Sequence, residues 1–477
     1  MSNKVITAYL FLSMLTATGS AAAYTLAEVV QHALDTHPEV LAETSQYHSR
    51  KQELEQARSG YLPSVDISAG IGYEYSDNNS TRTQGFDDQE LTRKEAAVVV
   101  DQMLFDGYAV RSEVTRQDAR VRAQQYTMEG SAQQIALQAI DTYFQVLLKR
   151  QLVDLSNENL SVHDRILDQV GLRSRAGVGR SSDLKQVTGR RAAAISGLLS
   201  DQVNLQDAES GFISVVGDLP RELVPVADRV TGLPASLDEA VQKSIDNHPT
   251  LKSADADVAA AKAQNLASRN NFYPKFNLEL GGTWNDDLDG IEGRDHDLTA
   301  MIRMRYNLFS GGRDQARHRQ TSELINQSKD VRNRTYRQVV ESMRLSWSAF
   351  RITGDQLEYQ REQISATEFT RDAYAEQFRL GQRTLLDLLN TENEVFQARR
   401  NYQTTRYDHL LAQYRIQGAM GALLGYLGVS GPSADTDRAA INGNFSSIVT
   451  ESAMDEELRL QRSRLHKLAP KSAVKGD

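Results

Sequence analysis

The sequence predicts an internally duplicated membrane protein of the α+β class, in which long helices alternate with amphipathic β-hairpins. Three observations lead there. The chain is written twice, the apolar period changes within each copy, and the strand-like stretches have a length that suits a bilayer.

Composition narrows the field first. The 477 residues are 40% hydrophobic and 25% charged, with a net charge of −9 and a mean hydropathy of −0.50. No apolar run of about 20 residues recurs, which excludes a polytopic helical membrane protein. The chain has no cysteine, so disulfides, thiolate metal sites, thiol nucleophiles and lipid attachment through an N-terminal cysteine are excluded. Mild acidity argues against a nucleic-acid partner.

Residues 1–23 read as a secretory signal. Lys4 supplies the positive start, Val5 to Leu15 the short apolar stretch, and Ala21-Ala22-Ala23 the small-residue cleavage site. The mature chain is expected to begin near Tyr24, outside the cytoplasm.

The repeat comes next. Leu26 to Pro38 aligns with Leu237 to Pro249 at an offset of 211, with seven of thirteen positions identical. The same offset pairs Tyr61-Leu62-Pro63 with Phe272-Tyr273-Pro274, and Gly70 with Gly281. Beyond, the offset is 204. It pairs Leu104-Phe105-Asp106-Gly107 with Leu308-Phe309-Ser310-Gly311, Gly177 with Gly381, Asp183 with Asp387, and Gly217 with Gly421. One seven-residue insertion in a collinear pair marks a duplication. The copies are placed at residues 24–230 and 231–428, followed by a tail over 429–477 rich in Ser, Asp and Gly and then in Arg and Lys, expected to be partly disordered.

Each copy opens with a helix and turns at His37-Pro38 or His248-Pro249. No other residue at ligand spacing joins these histidines, so they are expected to be helix-end residues. A β-hairpin follows, at about 64–105 and 275–309. Val65, Ile67, Ala69, Ile71, Tyr73 and Tyr75 alternate with polar or small residues, as do Phe276, Leu278, Leu280, Gly282 and Trp284, and then Leu298, Ala300, Ile302, Met304 and Tyr306. The return strand of the first copy, near Ala96 to Phe105, alternates poorly and is placed by the repeat. Loops are expected over Ser76–Thr92 and Asp286–Asp297. Within the second, Asn285 to Gly290 spaces oxygens like a calcium loop, but His296 stands where a bidentate Glu is needed, so an acidic solvated loop is expected.

Long helices fill about 108–217 and 313–425. Ala136, Ala139, Tyr143 and Val146 make one helical stripe, copied as Val340, Met343, Trp347 and Phe350. No proline lies between Pro63 and Pro220, or between Pro274 and Pro432, as uninterrupted helices require. Gly177, Gly179 and Gly381 break each run into two.

Strands of this length, apolar on one face with aromatic ends, fit a transmembrane β-strand. Four strands cannot close a barrel, and lipid does not tolerate open edges, so the chain must oligomerise if they span. Two, three or four copies would give eight, twelve or sixteen strands.

The signal, the His-Pro helix starts, the Tyr-Leu-Pro and Tyr-Pro strand starts and Leu-Phe-(Asp/Ser)-Gly, repeated in order over about Tyr24–Gly428, resemble the TolC-type outer-membrane export channels. The resemblance implies a homotrimer in a Gram-negative outer membrane, in contact with its lipid. A twelve-stranded barrel would join a long α-helical barrel crossing the periplasm, with a small equatorial domain around it. It also implies an export duct that works with a periplasmic adaptor and an inner-membrane transporter, either ABC or proton-driven, and needs no cofactor. By the same resemblance a tyrosine and an arginine tether the periplasmic tip, and acidic rings narrow it. Here Arg383 and Asp387 keep the expected types and Ser182 and Asp183 supply facing acceptors, whereas Phe378 lacks the hydroxyl and Asn390 replaces a second acid. The turns at Gly177, Gly179 and Gly381 would meet the adaptor. The competing reading, weighed below the gate role, is an ordinary i, i+4 surface pair of Arg383 and Asp387. Arg175 to Leu184 resembles members that serve type I protein secretion, and drug efflux is the alternative cargo. A periplasmic adaptor or coiled-coil scaffold would leave the alternating strands unexplained. No phosphate loop, HExxH or serine-nucleophile elbow is present, so no enzymatic activity is expected.

Overall fold

A computed structural model describes residues 24–432. The expected secretory signal, and the expected tail beyond residue 432, lie outside the described residues. In chain order the elements are α1 (Leu26–Thr36), α2 (Pro38–Ser59), β1 (Ser64–Ser76), α3 (Asn79–Thr83), β2 (Gln89–Phe105), α4 (Ala109–Arg175) and α5 (Ser181–Val216). The second copy supplies α6 (Leu237–Asn247), α7 (Pro249–Ala267), β3 (Lys275–Leu288), β4 (Ile291–Arg305), α8 (Arg313–Arg379), α9 (Leu385–Ala419) and α10 (Leu423–Leu427).

Local chemistry sets the element ends, and sets them twice. His37 and His248 are the N-caps of α2 and α7. Their Nδ1 atoms accept from the amides of Glu39 at 3.2 Å and Thr250 at 3.3 Å, with proline at the first helical position. Asp106 caps α4, accepting from the amides of Ala109 and Val110 at 3.0 and 2.6 Å, which explains the polar residue of the Leu-Phe-(Asp/Ser)-Gly motif in the first copy. In the second, the Ser310 hydroxyl instead donates to Asp314 in the first turn of α8. Both α4 and α8 run for 67 residues, about 100 Å at 1.5 Å per residue. Each then ends in a Schellman turn. The amide of Val178 donates to the carbonyl of Arg173 and that of Gln382 to Gln377, with Gly177 and Gly381 at φ of 75° and 78°.

The chain forms two compact units that do not follow the repeats. One comprises residues 24–33, 138–229 and 357–407, and is helical. Its most telling contact is a buried polar junction between the two copies. Arg400 of α9 donates to both carboxylate oxygens of Asp201 on α5, at 2.5 and 2.9 Å, and Ser156 of α4 donates to the same group at 2.5 Å. Asp201 is 5% exposed. Burial alone would raise its pKa, but the bonds from Arg400 and Ser156 outweigh that and hold it below the ordinary carboxylate value. In the same unit, burial pushes the Tyr143 phenol up to about 12, so it stays protonated and donates to the carbonyls of Val224 at 2.6 Å and Tyr24 at 3.1 Å.

The other unit comprises residues 34–137, 230–356 and 408–432. It holds an antiparallel meander of order β1-β2-β3-β4. The poor alternation of β2 resolves once register is known. Val98 and Val100 lie opposite Ile67 and Val65 on the apolar face, while Val99 falls on the other. The expected loop over Asp286–Asp297 is corrected: β3 and β4 continue to a two-residue turn. Asp289 and Gly290 have φ of 55° and 78°, and Leu288 pairs with Ile291, the signature of a type I′ hairpin. Glu292 and Gly293 together oppose Asp287, and this bulge absorbs the odd residue. The longer first loop keeps a short helix, α3, and folds onto that turn: Asn78 Nδ2 donates to the carbonyl of Asp289 at 3.0 Å.

Two expectations follow. Asp201→Asn should lower the stability of the helical unit by about 3 kcal/mol, because it leaves Arg400 without its charge partner. A native carboxylate of depressed pKa stabilises fully above its unfolded pKa of about 3.9 and stops doing so as pH falls through its folded value. The gap between wild type and variant in thermal melts followed by circular dichroism should therefore close in acid, and a pH-independent gap would contradict this account. At the turn, a Cβ on Gly290 would lie 2.4 Å from Thr81 Cγ2, so Gly290→Val should cost about 2 kcal/mol or more. Gly72→Ala, which meets nothing within 4 Å, should be near neutral in the same melts.

Candidate functional site

Two places carry the chemistry of a conduit, the sheet and the helix tips. On the sheet, the ladder puts every apolar side chain of the alternation on one face. Val65, Ile67 and Ile71 of β1 share it with Leu278, Leu280 and Trp284 of β3 and with Leu298, Ile302 and Met304 of β4. Ile71, Leu298 and Ile302 are exposed in the single chain. The opposite face is polar and internally paired. Arg303 and Arg305 donate to Glu279 at 2.6 and 2.7 Å, Asn277 to Asp101 at 2.7 Å, and Arg93 to Glu74 at 2.9 Å. One surface thus suits lipid and the other water. Among the described residues β1 and β4 each have one strand neighbour, so both outer edges leave backbone groups unpaired there.

At the tip of the second copy, the turn between α8 and α9 positions Arg383. Its guanidinium lies 4.0 Å from the ring centroid of Tyr374, Nε donates to Gln377 Oε1 at 3.0 Å, and Nη1 sits 3.7 Å from Asp387 Oδ2. Asp387 is also a reciprocal cap for α9. Its amide donates to Thr384 Oγ1 at 3.3 Å, and that hydroxyl donates to Asp387 Oδ2 at 2.9 Å. Phe378 is placed elsewhere. At 8% exposure it belongs to an apolar cluster with Ile166, Val170, Val187, Leu385 and Leu389, and Arg173 covers its ring at 4.8 Å. Asn390 accepts from Arg190 Nη2 at 3.1 Å, tying α5 to α9. Ser182 and Asp183 bond to each other at 3.4 Å in the first turn of α5, and Arg383 makes its contacts on its own hairpin.

Tyr374, Gln377 and Arg190 were not singled out from the sequence. For Tyr374 a signal existed: it precedes Phe378 by four residues, so a hydroxyl missing at one position is present one turn earlier on the same helix. Among the described residues no cluster of His, Asp and Glu could hold a metal ion.

Comparison with known proteins agrees with this layout. The family model for outer membrane efflux proteins matches residues 29–218 and 240–422. The chain is 26% identical over 426 residues to the outer membrane efflux protein BepC of Brucella suis, covering 88% of this chain and 90% of BepC. It is 21% identical to the outer membrane protein TolC of Salmonella enteritidis, over 83% and 82% of the two chains. It is 22% identical to the alkaline protease secretion protein AprF of Pseudomonas aeruginosa, over 82% and 83%. The solved structure of CusC, a transmembrane channel, superimposes with a TM-score of 0.74 over 86% of this chain and 93% of CusC, at 15% identity, a likeness of fold. The chain therefore belongs to the outer membrane efflux protein family, and is an outer-membrane channel protein of the TolC type rather than an enzyme.

Proposed function

We propose that three copies of this chain close a twelve-stranded barrel in the outer membrane. The trimer would serve as the export duct for a periplasmic adaptor and an inner-membrane transporter. The observation that carries the reading is the meander itself: four strands, apolar on one face, with both edges open. Lipid offers no hydrogen-bond partner to those edges, and closed barrels begin at about eight strands, so copies must complete the sheet. The hairpin loops at residues 77–88 and 289–290 face the exterior in this reading, and the opposite strand ends feed the periplasmic helices.

The Schellman turns at Gly177 and Gly381, with the neighbouring Gly179, form the adaptor-contacting end. The cargo is a secreted protein handled by a type I system. The turn from Arg175 to Leu184 supports this, as does similarity to a protein named for protease secretion along most of both chains. Similarity to BepC, named for efflux, makes small-molecule export the competing outcome. At the tip, Arg383 acts as a tether between Tyr374 and Asp387, and Asp387 contributes one carboxylate per copy to a ring around the passage. Like charges confined around water repel, and a cation between them relieves the repulsion.

Mass measurement of the detergent-extracted protein should give three chains, and a stable monomer would sink the duct. In planar bilayers Asp387→Asn should weaken cation preference and reduce block by divalent cations added from the periplasmic side. Thr384→Ala removes the same helix cap at a cost of about 1 kcal/mol but keeps the charge, so selectivity should hold. Arg383→Ala should raise resting conductance while leaving the carboxylates in place. If Asp387→Asn changes neither selectivity nor block, the residue is a helix cap and nothing more.

A further inference from the structure

The apolar face of the sheet changes character toward the hairpin turns. Directly opposite residues of an antiparallel ladder share a face, so the register assigns each side chain to one side. Ile67, Val98, Gly282 and Leu298 form one row across the four strands, and Ala69, Ala96, Trp284 and His296 form the next. One row further, Ile71, Lys94, Asp286 and Arg294 lie side by side. Two cations and a histidine therefore stand on the face that carries Leu278, Leu280 and Ile302. The other end of that face holds Gln102, Leu278 and Ile302, then Phe276 and Met304, with no cation among the described residues. Lys275, Arg303 and Arg305 fall on the opposite side.

The charges in the outer row are unequally used. Lys94 Nζ lies 3.4 Å from Asp286 Oδ2. Arg294, opposite the same aspartate, is exposed and makes no hydrogen bond or ion pair among the described residues, and the same holds for His296. An unpaired arginine on a lipid-facing barrel surface costs most at the bilayer midplane and least at the headgroups, which places this row at headgroup level. Two rows inward the face is notched. Gly282 is the floor, where an added Cβ would meet Trp284 Cη2 at 2.9 Å and Leu298 Cδ2 at 3.2 Å. Val98, Val100, Leu280, Trp284 and Leu298 border an open concavity of about 370 Å³ there. Leu298 and Arg294 are four residues apart on one strand, a rise of roughly 13 Å. An apolar notch with cations that far outward is the complement of an acyl chain whose headgroup carries phosphate.

We infer that the outer end of this face binds an acylated, multiply phosphorylated glycolipid of the outer leaflet, of the lipopolysaccharide class. This rests on the oligomeric-barrel reading above, with the hairpin loops outside, and adds to it a lipid class and its contacts. Arg294 supplies the planar fork that matches a phosphate in two bonds, and Lys94 a point charge beside it. Asp286 holds Lys94 in the row and leaves Arg294 to the ligand. His296 adds a ring donor between the cation row and the notch, and one acyl chain lies over Gly282 against Trp284. The two ends of the face argue for this lipid over a phospholipid. A headgroup with a single phosphate would suit either end, whereas cations at the outer end alone suit a lipid that carries several phosphates and is confined to one leaflet.

The test titrates delipidated protein in detergent with diphosphoryl lipid A and counts bound lipid by native mass spectrometry, which also gives the number of chains. Wild type should take up to one lipid per chain. Arg294→Gln combined with Lys94→Gln should weaken binding about tenfold or more, and Arg294→Lys should retain most of it. Arg305→Gln, an equal loss of charge on the opposite face of the same strand, should leave binding unchanged. Gly282→Leu, which fills the notch and alters no charge, should weaken it. Dephosphorylated lipid A and dioleoyl phosphatidylglycerol should each bind about tenfold more weakly than the diphosphoryl form, and inorganic phosphate should not compete. In protein with the mass of three chains, equal binding of phosphatidylglycerol would overturn the site and leave the barrel standing. So would lipid A binding that survives the double variant, the cations then being an interfacial girdle. Displacement by inorganic phosphate would overturn the lipid as occupant. A stable mass of one chain would overturn the site and the barrel together.

Discussion

The unpaired edges of β1 and β4 are the constraint on which the rest of the structure depends. A backbone amide or carbonyl in hydrocarbon has no water to bond, and each one left bare costs several kcal/mol. The sheet is otherwise built for lipid, with its apolar ladder on one face and its ion pairs on the other. A chain with such a sheet is energetically incomplete by itself. The sheet's surroundings are consistent with that incompleteness. The apolar side chains left most exposed include Leu298, Leu308 and Phe309, all on or just beyond the edge strand β4.

Duplication gives the chain two ways to use the same local chemistry. The caps at His37 and His248, the Schellman turns at Gly177 and Gly381, and the left-handed glycines Gly107 and Gly311 are paired solutions to paired backbone problems. Where the copies diverge, the divergence has a physical role. The second hairpin turns in two residues because Asp-Gly tolerates positive φ, and the longer first loop caps it with α3. The compact units cut across the repeats, because helices of 67 residues run through both. The Asp201–Arg400 pair shows the result: copies distant in sequence share one buried charge pair.

At the tip, one residue serves two physical functions. Asp387 holds the first turn of α9 through Thr384 and also stands within reach of Arg383. The Thr384 hydroxyl takes the amide of Asp387 and gives its own proton to the Asp387 carboxylate, so the helix cap also orients that carboxylate. Phe378 contributes differently. Its ring is spent on the apolar cluster that holds the four helix ends of this unit together, and the aromatic partner of Arg383 is Tyr374.

The sequence by itself determined the elements and their order, because these depend on local chemistry. Period-two stretches can bury or expose one face only as strands, and long proline-free runs of helical period can only be helices. Repetition located β2 where alternation was weak. What the sequence left open depended on register and on neighbours distant in the chain. The turn between β3 and β4 read as a loop, because four acidic residues within seven, Asp286 to Glu292, look solvated until cross-strand pairing shows where each strand stops. The side on which Val98, Val99 and Val100 fall required a partner strand, since a run of three valines has no period of its own. At the tip, residue types were legible but partners were not. Arg383 is placed by a ring and an amide on its own hairpin, and Phe378 by side chains from four helices, geometry that exists only once those helices pack.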